Sequence, residues 1–203
     1  MGIVEPSERK LRSDVVRNRA SILEAAQRHF LAHGVSASLE AVAKEAGVGA
    51  GTLYRHFPTR EALLAGVLQL HSEELVARRE QIAQVADPDE ALRQWTRALE
   101  DYFSAFSGLP EPLMAAAREH EPGNPLTLPC DHLIATTGEF LEAAQLHGHA
   151  RPSLKGYDLF LLAGSVAWIR GTGAADNATL DAMHTILETG YNHGSKQQIE
   201  RDG

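Results

Sequence analysis

The run Ala50-Gly51-Thr52-Leu53-Tyr54-Arg55-His56-Phe57 gathers four hydrogen-bonding side chains into two turns of any helix it forms. Leu53 and Phe57 stand at i and i+4 and turn inward together, which leaves Thr52, Tyr54, Arg55 and His56 on the outer surface. A hydroxyl, a phenol, a guanidinium and an imidazole placed this way can bond to phosphate oxygens or to base edges. Ser38, with the backbone N–H groups at the start of a preceding helix, suits a phosphate as well. Each side chain also has a plainer use. Tyr54 can pack, Arg55 can be a solvated charge, and His56 can orient the chain entering Phe57-Pro58. Catalysis has no comparable set: no nucleophile, base and orienting group stand together, and no metal or phosphate-loop motif occurs, so neither an enzyme nor a cofactor is expected.

Two short helices must hold these groups. Ser38 caps the first, whose Leu39, Val42, Ala43 and Ala46 recur at i, i+3, i+4, i+7 before Gly47 stops it. The second runs from about Ala50 to Phe57 and is halted by Pro58. Joined through Gly47-Val48-Gly49, the pair reads as a helix-turn-helix, a unit that lays its second helix in the DNA major groove. Before it, Ser13 caps a helix whose face is Val16, Leu23, Ala26 and Phe30 and which Gly34 ends, and the polar segment 1–12 is expected to be a flexible tail. After it, Thr59 opens a helix running through Leu63, Leu64, Val67, Leu68, Leu75 and Val76 to about Val85. Asp87-Pro88-Asp89-Glu90 starts another, with an aromatic stripe of Trp95, Tyr102, Phe103 and Phe106. A short helix to about Glu119 follows, then a loop over 121–129 with three prolines, then helices at about 130–147, 154–170 and 177–192. Alternating β-branched runs are absent, so the fold class is all-α.

The chain has 203 residues, 43% hydrophobic and 23% charged, which is ordinary globular usage. Its 19 basic and 27 acidic side chains give a net charge of -8, at first sight a poor match to nucleic acid. The average hides an asymmetry: residues 1–60 carry a surplus of +3 and residues 61–203 carry -11. A single cysteine, Cys130, allows no intramolecular disulfide and has no neighbouring base to activate it. The longest apolar stretch, Leu159 to Ile169, is too short to span a bilayer at about 20 residues. No signal core follows the N-terminus, and a cytoplasmic location with no membrane partner is expected. Histidines 120, 132, 147, 149, 184 and 193 show no repeated i, i+4 ligand pairing, so no metal site is expected.

The run from Leu39 to Leu64, above all Gly51-Thr52-Leu53-Tyr54-Arg55-His56-Phe57, resembles the DNA-binding signature of the TetR family of transcriptional regulators. The resemblance covers about residues 13–64. It implies an N-terminal three-helix DNA-binding domain with a helix-turn-helix at 13–58. A C-terminal helical domain for ligand binding and dimerisation would follow at 59–193, with a polar tail over 194–203. By position, Ser38, Thr52, Tyr54, His56 and Arg60 would contact DNA, with Arg60 standing where family members often carry lysine. The first residues of the recognition helix, Gly49, Ala50 and Gly51, offer no side-chain hydrogen bonds. Base readout would then rest on Arg55, on an apolar touch of Ala50 against a thymine methyl, and on the tail arginines in the minor groove.

In the body, Tyr102, Phe103, Phe106, Met114, Phe140 and Trp168 can line an apolar cavity for a small-molecule effector, or can simply fill the core. The segment Leu159 to Ile169 is apolar nearly all round, and Ala163, Gly164 and Ala167 would admit a close neighbour. With the stripe Leu180, Met183, Leu187 and Tyr191, it would build the four-helix homodimer interface that the resemblance implies. The expected function is a regulator, acting as a repressor, that leaves a palindromic double-stranded DNA operator when an effector binds. An architectural DNA-binding protein without effector, or an enzyme built on the body, are the alternatives.

Overall fold

Helix-forming periodicity with regular capping signals yields helices throughout. The computed structural model describes residues 6–148 and 150–191, which hold nine α-helices and no strand. In chain order they are α1 (Pro6–His33), α2 (Leu39–Glu45), α3 (Ala50–His56), α4 (Arg60–Ile82), α5 (Pro88–Phe103), α6 (Pro110–Glu119), α7 (Thr127–Leu146), α8 (Gly156–Thr172) and α9 (Asn177–Tyr191). Contacts divide the chain into two units, Met1–Leu70 and His71–Gly203, and the boundary falls inside α4.

Three boundaries differ from expectation. The backbone is helical from Pro6, not from Ser13, because proline at a helix start lacks only an N–H that would have no intrahelical partner. Residues 1–5 of the expected tail, the tail over 194–203, His149 and His193 lie outside the described residues. Helix α7 begins at Thr127, inside the expected loop, and carries Pro129 in its first turn, where the missing N–H is again harmless. Helix α5 stops at Phe103, so Phe106 sits in the turn beyond it.

Among the described side chains of α1, Ile22, Leu23, Ala25, Ala26 and Phe30 are buried, and Val16 is 69% exposed. The buried set of the first unit also holds Leu39, Val42 and Ala43 of α2, Leu53 of α3, Phe57, and Leu63, Leu64 and Val67 of α4. Close packing of α4 needs glycine at one point. A Cβ on Gly66 would lie 2.8 Å from Leu23 Cδ2 and 3.1 Å from Phe57 Cε1.

In the second unit Asp87 caps α5 by accepting the Asp89 N–H at 3.0 Å, with Pro88 in the first turn as the sequence predicts. The inward stripe Leu92, Trp95, Leu99 and Phe103 is fully buried, and α5 packs on α7 and α8. Trp95 brings a polar atom into this core: its Nε1–H donates to Thr137 Oγ1 at 2.9 Å, and that hydroxyl donates to the Leu133 carbonyl at 2.7 Å. The Trp95 ring also stacks on Phe140, with centroids 5.4 Å apart. No described helix is long and apolar enough to cross a membrane.

Cys130 is buried on α7, donates to the Leu113 carbonyl at 3.4 Å, and has its thiol pKa pushed up to about 12 by burial. At neutral pH it is a protonated core group. An aromatic disulfide reagent is expected to label it only on unfolding, and fast labelling of native protein would contradict this burial. Thr137→Val should cost about 1–3 kcal/mol in denaturant titrations, because it strands the Trp95 N–H.

Candidate nucleic-acid interface and the helical body

Helix α2 ends at Gly47, whose φ of +70° is costly for other residues, and the Val48 N–H returns to the Ala43 carbonyl at 3.0 Å. The chain then enters α3, where the N–H groups of Thr52 and Leu53 bond the Gly49 carbonyl. Leu53 and Phe57 are 1% and 2% exposed, so α3 is pinned by one face as its i, i+4 spacing requires. Tyr54 is 44% exposed, Arg55 is exposed, and Thr52 and His56 are half-buried.

Arg55 does not reach outward. It folds back along α3, donating from Nε to the Gly51 carbonyl and from Nη2 to Thr52 Oγ1, both at 3.1 Å. Thr52 accepts there, so its own hydroxyl proton stays free to donate. Ahead of it lies a bare strip of Gly49, Ala50 and Gly51, all exposed. A Cβ on Gly49 or Gly51 would meet nothing within 4 Å, and neither has a positive φ. Folding therefore does not require glycine at either position. In the first turn of α3 Gly51 costs up to about 0.5–1 kcal/mol relative to alanine.

Two expected phosphate contacts are otherwise engaged. Ser38 caps α2, accepting the Ala41 N–H at 3.3 Å, and donates its hydroxyl to Glu40 Oε2 at 2.8 Å. That hydrogen bond holds the Glu40 carboxyl below the usual range, and a phosphate here would have to displace it. Arg60 turns inward: Nη1 donates to the carbonyls of Val35 and Ala37, each at 2.7 Å. At the other end of α2, Glu45 accepts from Arg28 Nε at 2.6 Å and lies 2.8 Å from His29 Nε2, with its carboxyl lowered first by the Arg28 hydrogen bond. These long-range pairings leave no periodic trace in the sequence, so only the caps were readable there.

The body residues separate. Tyr102, with Leu75, Arg78, Asp101 and Ala105, lines a cleft of about 100 Å³ between α4 and α5. Phe103 and Phe106 are fully buried: Phe103 meets Phe160 edge-on at 5.2 Å, and Phe106 meets His71 the same way. Met114 is half-buried, with Sδ 3.1 Å from where a Gly164 Cβ would stand, and Phe140 is occupied by its stack on Trp95. Trp168 does not join them. It is 52% exposed on the outer face of α8 with Leu162, because Val166, Ala167, Ala163 and Phe160 take the inner face.

The Glu45 clasp has a defined pH signature. A depressed folded pKa contributes stability above the ordinary carboxyl value and loses it as pH falls through the folded value. The melting-temperature gap between wild type and Glu45→Gln should therefore shrink as pH drops below about 4.5. A gap constant down to strongly acidic pH would contradict it. Gly51→Ala should raise thermal stability by about 0.5–1 kcal/mol in the same melts.

Family models match both units: "Bacterial regulatory proteins, tetR family" over residues 22–67, and "Transcriptional regulator SbtR-like, C-terminal domain" over 87–193. Among solved structures, a TetR transcriptional regulator from Streptomyces coelicolor is 31% identical, with a TM-score of 0.55 over 87% of this chain and 99% of that one. A TetR regulatory protein from Mycobacterium vanbaalenii is also 31% identical, with a TM-score of 0.50 over 90% and 99%. The fold also matches the regulator FadR of Bacillus subtilis, solved with stearoyl-CoA, at 17% identity and a TM-score of 0.59 over 84% and 98%. An HTH-type transcriptional regulator of Staphylococcus aureus is 38% identical over 73 residues, a match spanning 36% of this chain and 40% of that protein's length. With both units matched and the 31% identical Streptomyces coelicolor regulator covered almost end to end, the chain belongs to the TetR family of transcriptional regulators.

Proposed function

We propose that this regulator is a homodimeric repressor that holds a palindromic operator through α3 and releases it when a small molecule occupies the body. The observation that carries the reading is the bare first turn of α3. Gly51 gives up helix stability with no return in folding, and with Gly49 and Ala50 it leaves a bare surface that Thr52, Tyr54 and His56 flank with donors. Such a strip lets backbone come close to base edges, and the flanking hydroxyls and imidazole supply phosphate contacts. The charge division supports it, because the +3 of residues 1–60 is the docking charge and the -11 of the rest repels a duplex.

Pairing through α8 and α9 is supported by Leu162 and Trp168 on α8 and by Ile186, 67% exposed, on α9. A dimer sets two α3 helices about one DNA turn apart, hence a palindrome. The cleft beside Tyr102 is the proposed point of effector entry, and α4, which carries one of its walls and runs on into the first unit, is the element an effector would shift. An effector acts only by binding the two arrangements with different affinity.

Footprinting on duplexes selected from a random-sequence pool tests the central reading: a protected palindrome is expected, and no protection at low salt would contradict it. Gly51→Ala should weaken that binding about tenfold or more while raising the melting temperature, since a methyl would enter the space left for DNA. Trp168→Glu should shift the particle toward monomer in sedimentation and weaken operator binding with it, and an unchanged dimer would place the interface elsewhere.

A further inference from the structure

Helix α2 is seven residues long, too short to keep its place by helical stability alone. Beyond the burial of Leu39, Val42 and Ala43, its position is set by what grips its two ends. At the C-terminal end Glu45 is gripped from α1 by Arg28, with His29 beside it. At the N-terminal end the turn after Gly34 presents the carbonyls of Val35 and Ala37, and no backbone N–H among the described residues takes either one. Both are taken by the same nitrogen, Arg60 Nη1, at 2.7 Å, from the first turn of α4. The guanidinium is half-buried, and the two carbonyls belong to residues that are themselves buried, 9% and 6% exposed. A charged donor satisfying two otherwise unpaired buried acceptors makes a strong and directional tie.

We infer that Arg60 is a positioning residue for DNA reading: it fastens the turn feeding α2 to the start of α4, so that α2, and α3 beyond it, keep one placement on that helix. This rests on the DNA-binding reading above. It departs from a phosphate role, in which the charge of residue 60 would face the duplex. In the clamp both hydrogens of Nη1 are spent on the protein itself.

The two roles part in salt dependence. A lost phosphate contact lowers the slope of log affinity against log salt by about 0.9 per head, whereas a lost placement weakens binding at every salt with the slope unchanged. The probe is a duplex selected from a random-sequence pool by the full-length wild-type protein, titrated from about 50 to about 300 mM KCl. Arg60→Met is expected to bind about tenfold or more weakly along a parallel line, and amides of residues 35–41 in the free variant should exchange faster than in wild type. Arg60→Lys keeps the charge without the planar fork, and should give a smaller loss with the same slope. Should Arg60→Met fail to fold, the lysine variant carries the comparison. A reduced slope in Arg60→Met with full rescue by lysine overturns the inference in favour of a phosphate contact. Unchanged affinity and unchanged exchange overturn it outright. Failure of the wild type to bind any duplex strikes the DNA-binding reading itself, and is recognised because it does not depend on residue 60.

Discussion

The burial of Leu53 and Phe57 is the interaction on which the proposed DNA-facing surface depends. A helix of seven residues has too few internal hydrogen bonds to persist in water, so α3 exists because these two side chains enter the core of the first unit. Full burial of a leucine and a phenylalanine contributes roughly 1.5–3 kcal/mol each. That anchoring fixes the rotation of α3 about its axis, and with it which residues face outward. Gly66 lets α4 approach closely enough to cover Phe57, and the Arg19 guanidinium lies 5.2 Å over the other side of its ring. The proposed DNA-facing side of α3 is thus what remains of a packing problem solved on its opposite face.

The body is held by a different kind of link. Asp101 accepts from Arg78 of α4 at 3.1 Å and from Arg170 of α8 at 3.2 Å, while the neighbouring Glu100 lies 2.7 Å from His184 of α9. Glu100 is nearly buried, and desolvation raises its pKa against the opposing pull of His184 and Arg170. Arg97 and Glu188 add a second tie between α5 and α9. The exposed pairs among these, at Asp101 and between Arg97 and Glu188, contribute little stability singly. Their importance is geometric, since one turn of α5 touches the cleft-bearing helix and both helices of the proposed pairing face.

What the sequence made legible follows from physical range. Short-range rules read well: helix succession, the Asp87-Pro88 start, the stop at Gly47 and the inward pair Leu53 and Phe57 each depend on residues within a turn or two. The boundaries differ at α1, where a polar segment reads as a tail although the backbone is helical from Pro6, and at α7, where three prolines read as a loop although the missing N–H of Pro129 is harmless in a first turn. Side-chain destinations were not readable. Arg60 reaches carbonyls far back in the chain, Arg55 folds onto its own helix, and Trp168 faces out because smaller neighbours fill the inner face of α8. Composition says that a charge or an aromatic ring is available; only packing decides what it touches.

The proposed mode of DNA binding requires that α3 be the surface that meets the duplex. Backbone amide shifts of the full chain, followed by NMR while a selected duplex is added, test this residue by residue. The predicted result is that the largest changes fall on Gly49 through His56 and at the entry to α2, with α6 unaffected. Largest changes on α8 and α9, or none at low salt, would contradict it.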